Sequence, residues 1–517
     1  MEKLTRQASK VAVGTTVSRI LGYLRDMLVA NAFGAGFAAD AFYAAFRIPN
    51  LLRRVLGEGS FSASFIPVFS EYYHTKTKEE TQSFLNATFT VLTLVLTALT
   101  LLGMLFSPEI VKIIAWGFKS DPAKLELTIQ LTRIMFPYLL FVCLAALALG
   151  ILNTLESFFL PAIAPATLSI AEIGFIIGIA PLLSPDDKIR GLAYSVTIAG
   201  IMHFFVQWPK IKAMGWKIRF KPDFNHPGLK KVVILMLPAM IGISVDQINT
   251  FVNTICASFL VEGSITALYY SNRLVQMPLA IFGLALASVS LPAMSKSVAV
   301  NDIESMKEAL NYSLKFIIFI LVPSAVGLMV IGLPITRVLF ERGNFNIDDS
   351  MLTYAGLFYY SIGLPAYAGA KVLANGFYSF QNTKTPVKIA TAALIINIIL
   401  SIWLMRSMGV GGLALAASVS SWFNVLILGF YLQKKIEVID FKLIIWTSLK
   451  ASSAGLVMAV VCYYLAFIAF KNHMYSGMAI SLLAGVISYF VMAWALKMEE
   501  CKSFYSILNK IVKRVLP

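Results

Sequence analysis

Fourteen stretches of this chain are apolar and about as long as a bilayer's hydrocarbon core is thick: 11–33, 42–70, 84–106, 129–153, 160–182, 191–209, 229–257, 267–294, 310–333, 352–375, 387–405, 410–432, 443–469 and 475–496. A helix needs roughly 20 apolar residues to cross hydrocarbon. A run such as Phe84–Phe106 is apolar on every face and has no water-facing side to offer a soluble domain. Outer-membrane barrel strands would alternate apolar and polar residues over about ten positions, and these runs do not. Composition agrees: 58% of the 517 residues are hydrophobic and 14% charged, where a soluble domain carries about 25% charged residues. The expectation is an all-α polytopic membrane protein of about 14 transmembrane helices, the first an uncleaved span. An ordinary cytosolic enzyme, a disordered chain and a disulfide scaffold are excluded. Cys143, Cys256 and Cys462 lie in apolar runs, and with Cys501 they form no CxxC. They read as small hydrophobes.

The net charge of +16 belongs to the connections. An even number of spans places both termini on one side. That side collects 24 lysines and arginines in its loops and flanks, against 9 on the other. The bias puts both termini in the cytoplasm, facing an anionic leaflet. No zinc-finger spacing or RNP-like run points to nucleic acid. No connection exceeds about 25 residues and no GxxxxGK[ST] run is present, which leaves no room for an extramembrane catalytic or nucleotide domain. A polyprenyl-dependent glycosyltransferase would need acidic catalytic residues on a membrane-facing loop. Glu109, Asp186, Asp187, Asp348 and Asp349 sit in short connections. His74, His203, His226 and His473 are scattered, so no metal site is expected.

The chain also resembles itself. Ala41-Phe-Tyr-Ala-Ala-Phe-Arg47 reads against Ala267-Leu-Tyr-Tyr-Ser-Asn-Arg273, and at the same offset Gly57 meets Gly283, Ser62 meets Ser288 and Ser64 meets Ser290. Both copies fall in the second span of a six-span half, and the basic loop 208–231 divides the halves. Parallel repeats related by an axis along the membrane normal are a transporter architecture with binding at the repeat interface. The expected organisation is two six-helix lobes with pseudo-two-fold symmetry, 1–215 and 216–435, with two further helices and a cytoplasmic tail in 436–517. The alternative is a duplicated bundle serving only as a scaffold.

Charges inside the spans argue for transport. The first span contains Arg19, Arg25 and Asp26; the second contains Arg47, Arg53, Arg54 and Glu58; the seventh contains Asp246, and the eighth starts near Arg273. A mid-membrane arginine costs at least roughly 2.5–3.5 kcal/mol, so several together imply a wet interior or partners. Arg19 and Asp26, seven apart, share a helix face with Gly22, and Arg25 lies about 120° away. Arg54 and Glu58 stand at i,i+4 and can pair locally. Arg47 and Arg273, near span ends, can snorkel. Asp40 reads equally as a helix cap or a gate contact. Gly57, Gly59, Ser60, Ser62 and Ser64 form a small polar face suited to close packing or to a bend. Guanidiniums match phosphate or pyrophosphate geometry, so the substrate class is anionic.

Ser18-Arg19-Ile-Leu-Gly22-Tyr-Leu-Arg25-Asp26, Phe33-Gly34-Ala-Gly36, Asp40-Ala41-Phe42, Pro49-Asn50-Leu-Leu-Arg53-Arg54 and Gly57-Glu58-Gly59-Ser60-Phe61 resemble the MurJ (MviN) family of bacterial lipid II flippases. Ser271-Asn272-Arg273-Leu274, Gln381-Asn382-Thr383-Lys384-Thr385-Pro386 and Gly409-Val-Gly-Gly-Leu-Ala414 extend the likeness to the end. The resemblance implies the multidrug/oligosaccharidyl-lipid/polysaccharide exporter fold and movement of lipid II to the periplasmic leaflet of the bacterial inner membrane by alternating access. It implies pyrophosphate contacts from Arg19, Arg25, Arg53 and Arg273, with Asp26, Asp40, Glu58 and Asp246 in gating or charge pairing, to which the local pairing of Arg54 is added from its spacing. It also implies a groove for the lipid tail along the last two helices. Some members bind sodium at an aspartate in the seventh helix. Here the polar candidates near the eleventh are Asn382 and Asn397, with no carboxylate, which argues against sodium and leaves Asp246 to gating. No cofactor is expected beyond membrane potential or a coupling ion. Expected partners are lipid II and the phospholipid bilayer, with the cell-wall synthesis machinery as a candidate. The rival readings are a flippase for another polyprenyl-pyrophosphate glycan or an ion-coupled exporter of the same fold.

Overall fold

The computed structural model describes residues 2–437, 439–469, 473–502 and 504, leaving out the side chains at 2–10, 12, 58 and 241–246. Among these residues every regular element is helical. The chain packs as two compact units, Met1–Ile265 with Arg342–Phe345, and Thr266–Glu341 with Asn346–Pro517. These packing units do not follow the repeat-based division at 215 and 435. The first retains Pro227–Ala257, because that helix packs against Arg53–Phe61 and Ser62–Thr75.

The first unit contains α1 (Glu2–Phe33), α2 (Phe37–Leu52), a π-helical segment Arg53–Phe61, α3 (Ser62–Thr75), α4 (Lys78–Leu105), α5 (Ser107–Ile114), α6 (Pro122–Met135), α7 (Pro137–Thr154), α8 (Phe159–Ile163), α9 (Ala166–Gly178), α10 (Pro185–Ala213) and α11 (Pro227–Ala257). Its apolar core joins Phe65, Phe69 and Phe84 to Leu147, Ile151 and Trp216. Thr77 and Glu80 close a capping box at the start of α4, satisfying backbone donors that the first turn otherwise orphans. The expected connection 107–128 is a correction: it holds α5, a 3₁₀ turn at Trp116–Ser120 and the beginning of α6. Asp121 caps the Lys124 N–H and Pro122 stands in the first turn, a start signal that moves the helix seven residues earlier than hydropathy alone.

The second unit contains α12 (Ser264–Pro278), a π-helical segment Leu279–Leu284, α13 (Ala285–Ala299), α14 (Ile303–Phe340), α15 (Ile347–Ile362), α16 (Leu364–Ser379), α17 (Lys384–Ile436), α18 (Phe441–Tyr463), a π-helical segment Tyr464–Ala469 and α19 (Met474–Ala495). Within α17, Gly409 has φ 54° and ψ −128°. A Cβ on Gly412 would lie 2.3 Å from the Leu404 carbonyl oxygen, so the chain doubles back there. Asn397 Nδ2 donates across the hairpin to Ser420 Oγ at 3.3 Å. One long helical stretch therefore holds both expected spans, 387–405 and 410–432. Glu341 accepts from Arg337 Nε and Nη2, at 2.7 and 2.9 Å, and from Ser350. The guanidinium holds its carboxyl below the ordinary range.

All fourteen expected stretches are helical, but several are interrupted. By length and composition, eight segments among the described residues are long and apolar enough to cross a membrane. The interruptions repeat. The π-helical segments begin at Arg53 and Leu279, 226 positions apart, the same offset that relates Arg47 to Arg273. The expected spans 129–153 and 352–375 both break, at Phe136 and at Gly363, 227 positions apart and each followed by a first-turn proline. A proline there lacks only an N–H that the first turn would leave unbonded.

Candidate functional site

The first unit brings Arg25 and Asp26 together with a residue the sequence reading passed over, Glu172. Arg25 donates to Asp26 Oδ1 from Nε at 3.0 Å and from Nη2 at 2.6 Å. Its Nε also stands 3.6 Å from Glu172 Oε2. All three are buried, Asp26 at 0% and Glu172 at 3% exposure. α1 supplies the first two and α9, packed along it, the third. Close packing continues toward the start of α1, where a Cβ on Gly14 would meet that of Ala162 at 3.2 Å. A lone acid in the apolar run 160–182 was the available signal for Glu172, but nothing in the sequence named its partner.

Arg19, seven residues before Asp26, is exposed. Arg53 is half-buried and opens the π-helical segment. Its Nε and Nη2 both donate to Asn50 Oδ1, at 3.1 and 2.9 Å. Within this wide register hydroxyls bond five residues back: Ser60 Oγ donates to the Val55 carbonyl, and Ser62 Oγ to the Gly57 carbonyl at 3.2 Å. Single π turns within α-helices frequently mark functional sites. The expected small polar face is here, with Gly57 seated against Cys143 of α7. The expected pairing of Arg54 with Glu58 falls on a side chain outside those described. Arg54 is exposed, and the side chains of Glu58 and Asp246 lie outside those described.

Asp40 occupies the first turn of α2 but does not cap it. It is 2% exposed and accepts from Lys124 Nζ at 3.0 Å and from the Gly263 N–H at 2.8 Å. The Lys124 ammonium also sits 4.6 Å from the centre of the Phe118 ring, an attraction of cation–π type. Nearby, the Phe37 N–H donates to Glu262 and the Gly117 N–H to Ser258 Oγ. A Cβ on Gly117 would stand 2.1 Å from the Ser258 carbonyl oxygen, so only glycine fits. Asp40 thus forms a buried ion pair and leaves the start of α2 without a side-chain cap. Lys124 was missed because hydropathy placed it in a connection.

The second unit places Arg273, half-buried, on α12. Beside it the buried Ser271 donates to the Ala267 carbonyl and, across to α15, to the Thr353 carbonyl at 2.7 Å. Asn397 is fully buried between Ser401 and Ser420, while Asn382 bonds the Thr385 backbone ahead of α17. Among the described residues no three His, Cys, Asp or Glu side chains cluster as metal ligands. Cys143, Cys256 and Cys462 are buried free thiols.

A family profile described as "Lipid II flippase MurJ" matches residues 29–495. Similar curated proteins include a probable lipid II flippase MurJ of Vibrio cholerae, 37% identical over 466 residues and 88% of each chain. Another is the lipid II flippase MurJ of Burkholderia cenocepacia, 37% identical over 436 residues and 84% of each. A solved lipid II flippase MurJ in an inward closed conformation superposes with a TM-score of 0.78 at 31% identity, covering 96% of this chain and 99% of that one. An inward-facing multidrug MATE transporter of the MOP superfamily shares the fold at 12% identity, with a TM-score of 0.66 over 83% of this chain and 98% of its own.

Proposed function

The chain belongs to the MurJ family of lipid II flippases, and from that premise we propose that it carries lipid II from the cytoplasmic to the periplasmic leaflet of the bacterial inner membrane by alternating access, both termini remaining in the cytoplasm. No covalent bond changes. The chain's work is to offer a charged headgroup a path through hydrocarbon and to close that path behind it.

The observation that carries the reading is the buried Arg25, held by carboxylates inside a helix packing instead of at a water surface. Burying a guanidinium costs several kcal/mol unless it is paired, and Asp26 and Glu172 supply the pairing. A pyrophosphate presents the same oxygens with more charge, and a planar fork binds it in the same bidentate way. Arg25 thus exchanges a resident anion for the substrate. Arg53 leans on the neutral Asn50 oxygen, an acceptor that an anion displaces readily. Arg19 and Arg273 complete the set in this reading, while Asp40 with Lys124, Arg54, Glu58 and Asp246 act in gating or charge pairing. α18 and α19 pack together and turn Leu456, Val460, Leu483 and Ile487 outward, an apolar face suited to a polyprenyl tail. Membrane potential biases the return step, at about 2.3 kcal/mol per elementary charge per 100 mV.

The test is external accessibility of lipid II in growing cells whose own flippase is depleted and replaced by this protein or by Arg25→Ala at matched membrane abundance. Wild type restores accessibility. The variant loses it by about tenfold or more, the loss expected when a charged hydrogen bond of about 1.5–3 kcal/mol is removed. Equal restoration by both would remove Arg25 from substrate handling. Restoration by neither, with normal insertion, would turn the reading to another polyprenyl-pyrophosphate glycan.

A further inference from the structure

Glu172 has a position that lipid binding alone does not use. It is 3% exposed and is the one charged residue of α9. The charges acting on it are Arg25, which attracts, and Asp26, which repels, both from α1. α10 and the turn at Ala180–Leu182, the other elements packed along α9, add none. Its hold on Arg25 is the weaker of the two: 3.6 Å from one nitrogen, where Asp26 accepts from two nitrogens at 3.0 and 2.6 Å. A guanidinium drawn onto a phosphate leaves Glu172 first.

A buried carboxylate without its cation does not stay ionised; it takes a proton. We propose that Glu172 takes up one proton from solvent when a pyrophosphate lipid draws Arg25 away, so that lipid binding and proton binding are linked through a single side chain. Arg25 stays charged throughout. The proton adds to a Glu172 oxygen and leaves again when Arg25 returns. Linkage is reciprocal: the lipid raises the proton affinity of Glu172, and the proton raises the affinity for lipid by freeing Arg25 from a competing anion. This inference rests on the flippase reading.

Calorimetric titration of the purified full-length chain with lipid II at pH 8, in two buffers of different ionisation heat, counts the protons taken up. Both phosphates of a pyrophosphate diester are ionised at this pH, so the protons are not the lipid's. Wild type takes up roughly one proton per lipid bound, and its Kd weakens by up to about tenfold per pH unit above neutrality. Glu172→Gln binds with uptake near zero and a flat pH profile, and Glu172→Asp recovers both. Saturable binding by wild type without uptake overturns the inference and leaves the flippase reading standing, even if the glutamine variant does not fold. Uptake that persists in Glu172→Gln overturns it as well. Absence of any lipid II binding overturns both.

Discussion

The buried pairs of the first unit differ in what they surround. Arg25 sits between two carboxylates, while Lys124 and Asp40 hold each other alongside a backbone N–H and an aromatic ring. The second arrangement ties α2 to α6 and to the turn before α12, and its cost appears when it is broken. Lys124→Met leaves the buried Asp40 carboxylate without its ammonium partner. Removing one partner of a buried ion pair costs about 3–5 kcal/mol, whereas replacing both by uncharged groups of similar size is close to neutral. The expected outcome is a folded but markedly destabilised Lys124→Met, with Asp40→Asn/Lys124→Met recovering most of the loss. Unfolding free energies in detergent check it. A single variant as stable as wild type would mean that the pair contributes nothing, and a double variant as weak as the single would mean that volume, not charge, matters there.

At the scale of elements, the basic segment between α10 and α11 is not a loose loop. Residues 217–221 run extended along α4, and every second backbone N–H finds a side chain one helical turn further along. Lys217 donates to Gln82 at 3.1 Å, Arg219 to Asn86 at 2.8 Å and Lys221 to Thr90 at 2.8 Å, while Gln82 returns a bond to the Lys217 carbonyl at 2.9 Å. The match is metric. Two residues of extended chain advance about 6.6 Å and four residues of helix about 6 Å, so the two periods stay in step across three contacts. Trp216 packs on Phe69 at one end. At the other, His226 packs against both Tyr72 and Phe84 and accepts the Gly228 N–H on Nδ1. Burial lowers its pKa and so favours the neutral ring that can accept. Lys217 and Arg219 keep their side chains exposed and neither precedes a proline, so trypsin reports on the strap directly. Gln82→Ala/Asn86→Ala removes three bonds to the strap worth about 1 kcal/mol each, and cleavage after Lys217 and Arg219 is expected to run about a hundredfold faster in the regime where proteolysis follows local opening. Unchanged cleavage would mean that the aromatic ends alone hold the segment.

Across the whole molecule, what could be read from the chain was what its own periodicity contains. Runs apolar on every face have one stable form in hydrocarbon, and all fourteen are helical. The likeness of residues 41–47 to 267–273 finds an echo in π-helical segments starting at Arg53 and Leu279. The contents of the breaks were not legible. At Arg53–Phe61 the hydroxyls of Ser60 and Ser62 reach five residues back, and no hydropathy window registers that. Lys124 and Glu172 were missed for a different reason: each acquires its role from a residue on another helix, 84 positions away for Lys124. Orientation is the inference drawn from the whole chain at once. The 24-to-9 distribution of basic residues predicts Lys221 inside and Asp348, three spans later, outside. With Cys501 replaced by Ser, and Cys143, Cys256 and Cys462 buried, a single cysteine at either position reports its side. Asp348→Cys is expected to react with a membrane-impermeant maleimide in intact spheroplasts, and Lys221→Cys only after permeabilisation. The reverse pattern would invert the protein in the membrane. Labelling of both in intact cells would mean that an even number of crossings separates them, and one of the helices between α11 and α14 would then have to leave the count of spans.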